Sequence, residues 1–314
     1  MTLVNHNGYK YNDIAVIYRN GALSRNFEIA FIQEKIPYNI YGSFAFLKRK
    51  EVKDMISYLR FIADPSKIVH FKRIINVPSR GVGEKTIEKL QEYMKEYNCD
   101  ILSSIDIFKE NNTTSKTEAL IEFKHMIEDL TQALNEMALS EFFDYMLEKT
   151  GYMEMLKAEA EADEINRIDN VKEFKSILYQ IEYNNLDQDL TQAEKIEIGL
   201  DELLLDTSTI DDHTTNGVVL STIHSVKGLE FKAVFVVGLE EGIFPAIREE
   251  VDMEEERRVA YVAFTRAKEK LYITCSARRL IYGRLVRNPK SRFLIEYLNC
   301  LLYTSPSPRD RQKS

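Results

Sequence analysis

Two groups of short apolar runs, rich in β-branched residues, stand near the two ends of this 314-residue chain, and helical patterning fills the space between them. Ile14 to Tyr18 (IAVIY) is one such run and reads as a buried strand. Ser24 can cap a helix over Arg25 to Glu34, and after Pro37 the run Tyr38-Asn39-Ile40-Tyr41 reads as a second strand. This β-α-β start suits a parallel sheet covered by helices. The same signals return late. Val218 to Ile223 and Ala233 to Val237 read as strands, Glu254 to Ala267 as a helix and Leu271 to Cys275 as another strand.

The middle is helical. Lys50 to Ala63 places Val52, Met55, Ile56, Leu59 and Ile62 on one face, and Asp64-Pro65 ends it. Lys116 to Met137 repeats the pattern through Leu120, Phe123, Ile127, Leu130 and Leu134. Glu141 to Glu159, Glu164 to Tyr183 and Leu190 to Leu205 read as further helices, and Asp206 to Asn216 as a polar linker. These stripes form core and carry no chemistry. The opening strand-helix-strand unit is too small to bury a core alone, so an α/β fold interrupted by a helical insert of about 170 residues is preferred. A continuous α/β domain followed by an unrelated helical one is the competing layout. Leu301 to Ser314 has Ser-Pro repeats and no periodicity; it resembles translated adapter read-through and is set aside, the other reading being a disordered tail.

Composition excludes several classes. No run of eighteen apolar residues exists, so no transmembrane helix is expected, and Met1 to Lys10 has no apolar signal core. Cys99, Cys275 and Cys300 are scattered without a CxxC pair, against a disulfide framework or a zinc site, and no metal-binding residues are assigned. A reducing cytoplasm fits. The net charge of −8 argues mildly against a dedicated nucleic-acid binder. Yet Arg257 to Arg292 holds eleven basic residues against the single acid Glu269, just after a strongly acidic stretch from Glu240 to Glu256. A solvated charged face is the ordinary meaning of such a run; its length and one-sided sign lower the weight of that reading.

Two segments can carry chemistry. In Val219 to Phe231 (VLSTIHSVKGLEF) a strand leads to a polar loop and a turn that needs Gly228. Lys227 and His224 can meet phosphates, and Glu230 can accept hydrogen bonds from a sugar hydroxyl. Loop Lys-Gly pairs are common, and a lone histidine is more often structural. In Glu254 to Lys268 (EEERRVAYVAFTRAK) Val259, Val262 and Ala263 form an apolar face, and Arg266 sits near the helix end. From there it can reach a γ-phosphate across an interface or simply pair with the helix's last carbonyls.

TIHSVKGLEF followed, after EEGIFP, by EEERRVAYVAFTRA is similar in order and spacing to the paired late motifs of superfamily 1 helicases of the UvrD/PcrA/Rep type. DIAVIYRNGALSR resembles that family's DNA-contacting segment. FAFLKRKEVKDMISYLRF and RIINVPSRGVGEKTIEKL resemble the start of its inserted subdomain, so the likeness covers nearly all of Tyr11 to Leu298. The resemblance implies a RecA-like parallel-sheet domain of the P-loop NTPase type, without the P-loop half, interrupted by a mostly α-helical domain. Residues 1–41 and 215–300 would form the RecA-like domain, 42–214 the insert and 301–314 a non-native tail.

The resemblance further implies that Glu230 contacts the ribose, with Lys227 and Gly228 at the nucleotide, and that Arg266 is the arginine finger. His224 would sit where the nucleotide and DNA sites communicate. Tyr282 falls where the family stacks an aromatic on a base, a contact worth about 1–3 kcal/mol; core packing is its plainer role. Arg19 and Asn20 would lie near single-stranded DNA. Arg80, Gly81, Gly83 and Lys85 look like a duplex-junction contact, in which glycines admit a phosphate to a helix N-terminus; an ordinary helix start has the same pattern. Two departures stand out. Gly21 replaces an expected asparagine, and Ala246 stands where the family can place a histidine.

No GxxxxGK[ST] loop occurs in the chain. ATP and Mg²⁺ are therefore expected to be held chiefly by a missing N-terminal RecA-like domain and not by this chain alone, with Met1 an internal start or fragment boundary. The expected function is the C-terminal part of an ATP-dependent 3′–5′ DNA helicase for repair or replication, inactive by itself and with no membrane partner. A non-catalytic DNA- or protein-binding module descended from a helicase is the alternative, and a helicase–nuclease of the RecB/AddA type a third.

Overall fold

The computed structural model describes residues 2–41, 45–112, 115–159, 164–186, 188–207, 216–247 and 252–304. The chain divides into two compact units: residues 1–46, 209–280 and 285–314 form the first, and 47–208 with 281–284 form the second.

The first unit begins with α1 (Thr2–Asn7), β1 (Ile14–Tyr18), α2 (Ser24–Gln33) and β2 (Tyr38–Tyr41). After the second unit it resumes with β3 (Val218–Thr222), β4 (Phe231–Val236), α12 (Met253–Phe264), β5 (Ala267–Ile273) and α13 (Arg292–Thr304). The five strands pair in the order β2-β3-β1-β4-β5, all parallel. All five residues of β1, the central strand, are buried, which is why its sequence is an unbroken apolar run. The core gathers Ala15, Ile17, Val219, Val234 and Val236 from the strands with Val259, Ala260 and Ala263 from α12. Phe244 and Phe293 close it edge to face, with centroids 5.8 Å apart.

The second unit is helical: α3 (Lys50–Ala63), α4 (Ile68–Ile74), α5 (Glu84–Tyr97), α6 (Ile101–Asn111), α7 (Ser115–Glu136), α8 (Leu139–Thr150), α9 (Tyr152–Ala158), α10 (Glu164–Asn184) and α11 (Gln192–Thr207). The expected α3 stripe is the buried face, with Val52, Met55, Leu59 and Ile62 fully covered. Phe61, Phe71 and Phe123 form an aromatic triangle with centroids 5.7–6.2 Å apart. A polar network also lies inside. Tyr152 Oη donates to the buried Asp54 at 2.9 Å, and Asn170 donates to Glu51 at 2.6 Å.

Four local expectations need correction. The single helix expected over Glu141 to Glu159 is two, because Gly151 takes φ +67 and ends α8 with a left-handed residue. The helix expected to reach Ala267 stops at Phe264. There the Thr265 hydroxyl donates back to the carbonyls of Tyr261 and Val262 at 3.0 Å, and Ala267 already pairs with β4. Ser24 does not cap α2. A 3₁₀ turn, Gly21–Leu23, leads into that helix, and the Asn20 side chain caps the turn by accepting from Ala22 N at 2.9 Å. Helix α13 runs through Thr304, so residues 301–304 continue a helix; the remainder of the Ser-Pro tail lies outside the described residues. The linker expected over Asp206 to Asn216 also falls mostly outside them, apart from the end of α11 and residue 216.

A two-residue hairpin joins β6 (Arg279–Ile281) to β7 (Arg284–Val286). Both turn residues have positive φ, +53 at Tyr282 and +70 at Gly283, as a type I′ turn requires. Among the described residues no helix is long and apolar enough to cross a membrane, and no cluster of His, Cys, Asp and Glu could hold a metal ion.

Candidate functional site

In the first unit the singled-out residues fall at two edges of the sheet. Arg19 and Asn20 follow the C-terminal end of β1, and His224 follows that of β3. Glu230 precedes the N-terminal end of β4 and Arg266 that of β5, at the opposite edge, because neighbouring parallel strands start together.

At the N-terminal edge the polar loop and the α12–β5 junction are tied together. Phe231 N donates to Arg266 O at 2.9 Å, and Arg266 Nη1 donates to Leu229 O at 3.2 Å. Arg266 Nε also donates to Val262 O at 2.9 Å, and Nη2 to Thr265 Oγ1 at 3.0 Å. The guanidinium thus rests on the last turn of its own helix, the plainer of the two roles open to it from sequence, while its backbone fixes the start of β4. Gly228 has φ +90, the left-handed turn expected of it. Lys227, Gly228 and Glu230 are exposed, and Glu230 meets Lys268 at 3.6 Å, a solvated pair of little energetic weight. Together Glu230, Lys227 and Arg266 offer a sugar acceptor and two cations. They fit the ribose and the outer phosphates of a nucleotide, but this loop has no run of backbone amides to cradle a triphosphate.

At the C-terminal edge Arg19 meets a buried carboxylate that sequence reading assigned no role. Glu256, in the first turn of α12, is 2% exposed. Its Oε1 accepts from Arg19 Nε at 2.8 Å and lies 2.7 Å from Nη2, while Oε2 accepts from Ala246 N at 3.1 Å. One signal could have found it. Positions 256, 259, 260 and 263 share one helical face, so an acid stands in an apolar stripe. His224 is an exposed residue, yet its ring is partly desolvated. That desolvation, and next the Arg19 guanidinium, hold its pKa below the usual 6.5.

The second unit carries the other residues. Gly81 has φ +69, and Gly83 is the N-cap of α5, whose first turn holds Lys85. The Arg80 guanidinium is turned inward. It donates to the carbonyls of Ile74, Ile75 and Pro78 at 3.1–3.2 Å and lies over the Phe123 ring at 5.2 Å. Gly81, Gly83 and Lys85 are exposed around it. Asn76, also unassigned from sequence, staples the loop by accepting from Val82 N at 3.0 Å. Tyr282 N donates to buried Glu173 at 3.1 Å and Gly283 N to Ser176 Oγ at 2.9 Å, so two α10 side chains hold the turn that presents the tyrosine.

The basic run is less free than its sequence suggests. Arg279 pairs with Glu240 at 2.7 Å, Arg292 with Glu241 at 2.7 Å and Arg258 with Glu255 at 2.9 Å, while Arg257 pairs with Glu254 and Glu296. The acidic stretch before it supplies most of these partners, so much of the apparent one-sided field is cancelled internally.

Comparison with known proteins identifies the family to which the chain is similar. The chain is 41% identical over 307 residues to the ATP-dependent DNA helicase PcrA of Staphylococcus epidermidis, an alignment covering 94% of this chain and 41% of that protein. It is 40% identical over 306 residues to the protein of the same name from Staphylococcus aureus, with the same coverage. It therefore spans about two-fifths of the length of these relatives. The family model for the UvrD-like helicase C-terminal domain matches residues 1–278, taking in both segments of the sheet and the helical unit between them, and the chain belongs to that family.

Proposed function

We propose that this chain is the C-terminal part of an ATP-dependent 3′–5′ DNA translocase used in repair or replication. Its RecA-like unit supplies one wall of an ATP site and a surface for single-stranded DNA. The helical unit is an insert in that motor domain, meeting the duplex junction through residues 80–85. The observation that carries this reading is the joint between residues 227–230 and the end of α12, which brings Glu230 and Arg266 together at one sheet edge. A pure binding module has no chemical need of that pairing.

When ATP and Mg²⁺ are bound, they supply the phosphoryl group and the metal that neutralises its charge. The donor set here fits only one side of them, so a phosphate-loop domain must hold the remainder. Glu230 accepts from the ribose hydroxyls, Lys227 and Gly228 line the phosphate side, and Arg266 stabilises charge developing on the γ-phosphoryl. Resting on its own helix turn, the Arg266 guanidinium has less rotamer freedom to lose than an unanchored finger. Arg19, Asn20 and His224 face the DNA strand, and Tyr282 stacks on a base. Asn20 acts mainly through the turn it caps. By itself the chain turns over no ATP, and it works in the cytoplasm.

The test is a chimera joining the N-terminal part of the Staphylococcus aureus PcrA to this chain. Single-stranded DNA should stimulate its ATP hydrolysis, and Arg266→Ala should lower kcat by roughly 10³–10⁵. Glu230→Ala should raise KM for ATP with little loss of kcat. A folded chimera that hydrolyses ATP equally well with Arg266→Ala would refute the assignment. One that binds DNA but never hydrolyses ATP would favour a non-catalytic binding module.

A further inference from the structure

The sheet order sets where a ligand can lie. From β1 the chain passes to β2 on one side, whereas from β4 it passes to β5 on the other, although β1 and β4 are neighbours. In open parallel sheets such a divergence opens a crevice beyond the strands' C-terminal ends, where ligands bind. Arg19 is the first residue past β1, and its side chain remains 27% exposed. His224 flanks it from the end of β3, near enough for the Arg19 charge to disfavour protonation of the ring.

Glu256 lies behind this crevice. An ion pair with one buried partner is a poor stabiliser compared with apolar packing, and α12 could bury a leucine there instead. What the carboxylate supplies is geometry. Its contact with Nε and Nη2 holds the guanidinium side-on and uses two of five N–H donors, and the planar fork can then offer another edge to a second anion. Its other oxygen holds Ala246 N, so the turn at 243–247 is fixed to the same point. One side chain thereby sets three elements at this edge: the end of β1, that turn and the first turn of α12.

We infer that Glu256 is a positioning residue for DNA backbone recognition, holding the Arg19 guanidinium and the 243–247 turn in the arrangement that receives a phosphate. This rests on the reading of the C-terminal edge as the DNA-facing one, and the two can fail separately.

The experiment is fluorescence anisotropy of labelled oligo-dT with the 314-residue chain across a salt series. Arg19→Ala should weaken binding roughly tenfold, as expected for a lost charge-assisted hydrogen bond. It should also reduce the slope of log K against log salt by about 0.7, the value for one single-strand phosphate. Glu256→Gln removes a negative charge, so a purely electrostatic role would tighten binding. The positioning role instead weakens it, by at least about threefold, and only while Arg19 is present. In the Arg19→Ala background the same substitution should cause no further loss.

Tight or unchanged binding by folded Glu256→Gln, with Arg19→Ala weakened, overturns the positioning role alone. No effect of Arg19→Ala, or no binding by the folded parent at low salt, overturns the DNA-facing reading and the inference with it. Arg19→Lys keeps the charge but loses the fork, and it decides the matter if Glu256→Gln does not fold. A loss of at least about threefold supports positioning, and parental affinity overturns it.

Discussion

Replacing Arg279 by methionine would strip Glu240 of its main partner while keeping most of the side-chain volume. Glu240 is 1% exposed, and it accepts from Arg279 Nη2 at 2.7 Å, Arg279 Nε at 2.8 Å and Ser276 N at 2.6 Å. Burial pushes this carboxyl's pKa up, but the Arg279 and Ser276 bonds outweigh it, and the net value lies below the usual 4.5. The pair therefore contributes stability that is complete above 4.5 and is lost as pH falls through the folded value. Leaving one partner of a buried pair costs about 3–5 kcal/mol. In the variant, protonation limits that cost. Neutralising an ordinary carboxyl requires about 1.4 kcal/mol per pH unit, hence about 3.4 kcal/mol at pH 7 and about 0.7 at pH 5. The expected penalty is therefore about 3 kcal/mol at neutrality and close to 1 kcal/mol at pH 5. Hydrogen exchange of peptides covering β4 and β5 reads it directly, with α3 as an internal reference. Exchange should accelerate by roughly 150-fold at pH 7 and by less than tenfold at pH 5, after correction for intrinsic rates. Acceleration below about fivefold at pH 7, or equal at the two pH values, would show that Glu240 does not depend on Arg279.

Three further outcomes follow from the geometry. Phe123→Ala should destabilise the helical unit by about 3–5 kcal/mol in chemical denaturation, since the ring is buried against Phe61, Phe71 and the Arg80 guanidinium; a loss under about 1 kcal/mol would contradict the packing. Gly228→Ala meets no atom within 4 Å but inherits φ +90, so it should cost about 1–3 kcal/mol through backbone strain alone, measurable as a lower Tm. His224 has its folded pKa depressed below 6.5, so the unfolded chain takes up its proton first. Stability should fall from about pH 6.5 downward until the folded ring also protonates, and His224→Gln should remove that component of a pH–Tm series.

What could be read from the sequence depended on burial. β1 and β3 are covered on both faces, so IAVIY and VVLST announce themselves without knowledge of their neighbours. Strand β5 begins Ala-Lys-Glu-Lys and is only half covered, so sequence reading places Ala267 in the preceding helix and starts the strand only at Leu271. The hairpin was missed because its turn is Tyr-Gly, and a tyrosine at positive φ is held there by Glu173 and Ser176, which lie more than a hundred positions earlier in the chain. Distance in sequence likewise conceals part of the pairing of the basic run: Arg257 and Arg258 meet acids three residues earlier, but Arg279 and Arg292 meet Glu240 and Glu241, 39 and 51 positions away. Arg257 to Arg292 looked like an open field because the acids that answer it stand in a separate block. Glu256 carries the plainest lesson. Its place in an apolar stripe was legible, but its partner Arg19 is 237 positions away. Arg80 inverts the case, since its place beside two glycines is legible but its bonds to carbonyls at the end of α4 and in the following loop are not.

The pairing of β2 with β3 constrains how this chain can acquire its structure. Tyr41 O accepts from Ser221 Oγ across 180 positions of sequence, with the whole helical unit lying between. Bringing those strands together from a disordered chain costs roughly 4–5 kcal/mol in closure entropy beyond a constant, before one interstrand bond rewards it. If the helices have already condensed, most of that entropy is gone and the edge strand docks cheaply. Assembly should then run from the middle of the chain outward. In pulsed-labelling refolding, the α3 and α7 amides should gain protection before those of β2 and β3. A destabilised helical core, as in Phe123→Ala, should then slow completion of a sheet that it never touches in sequence.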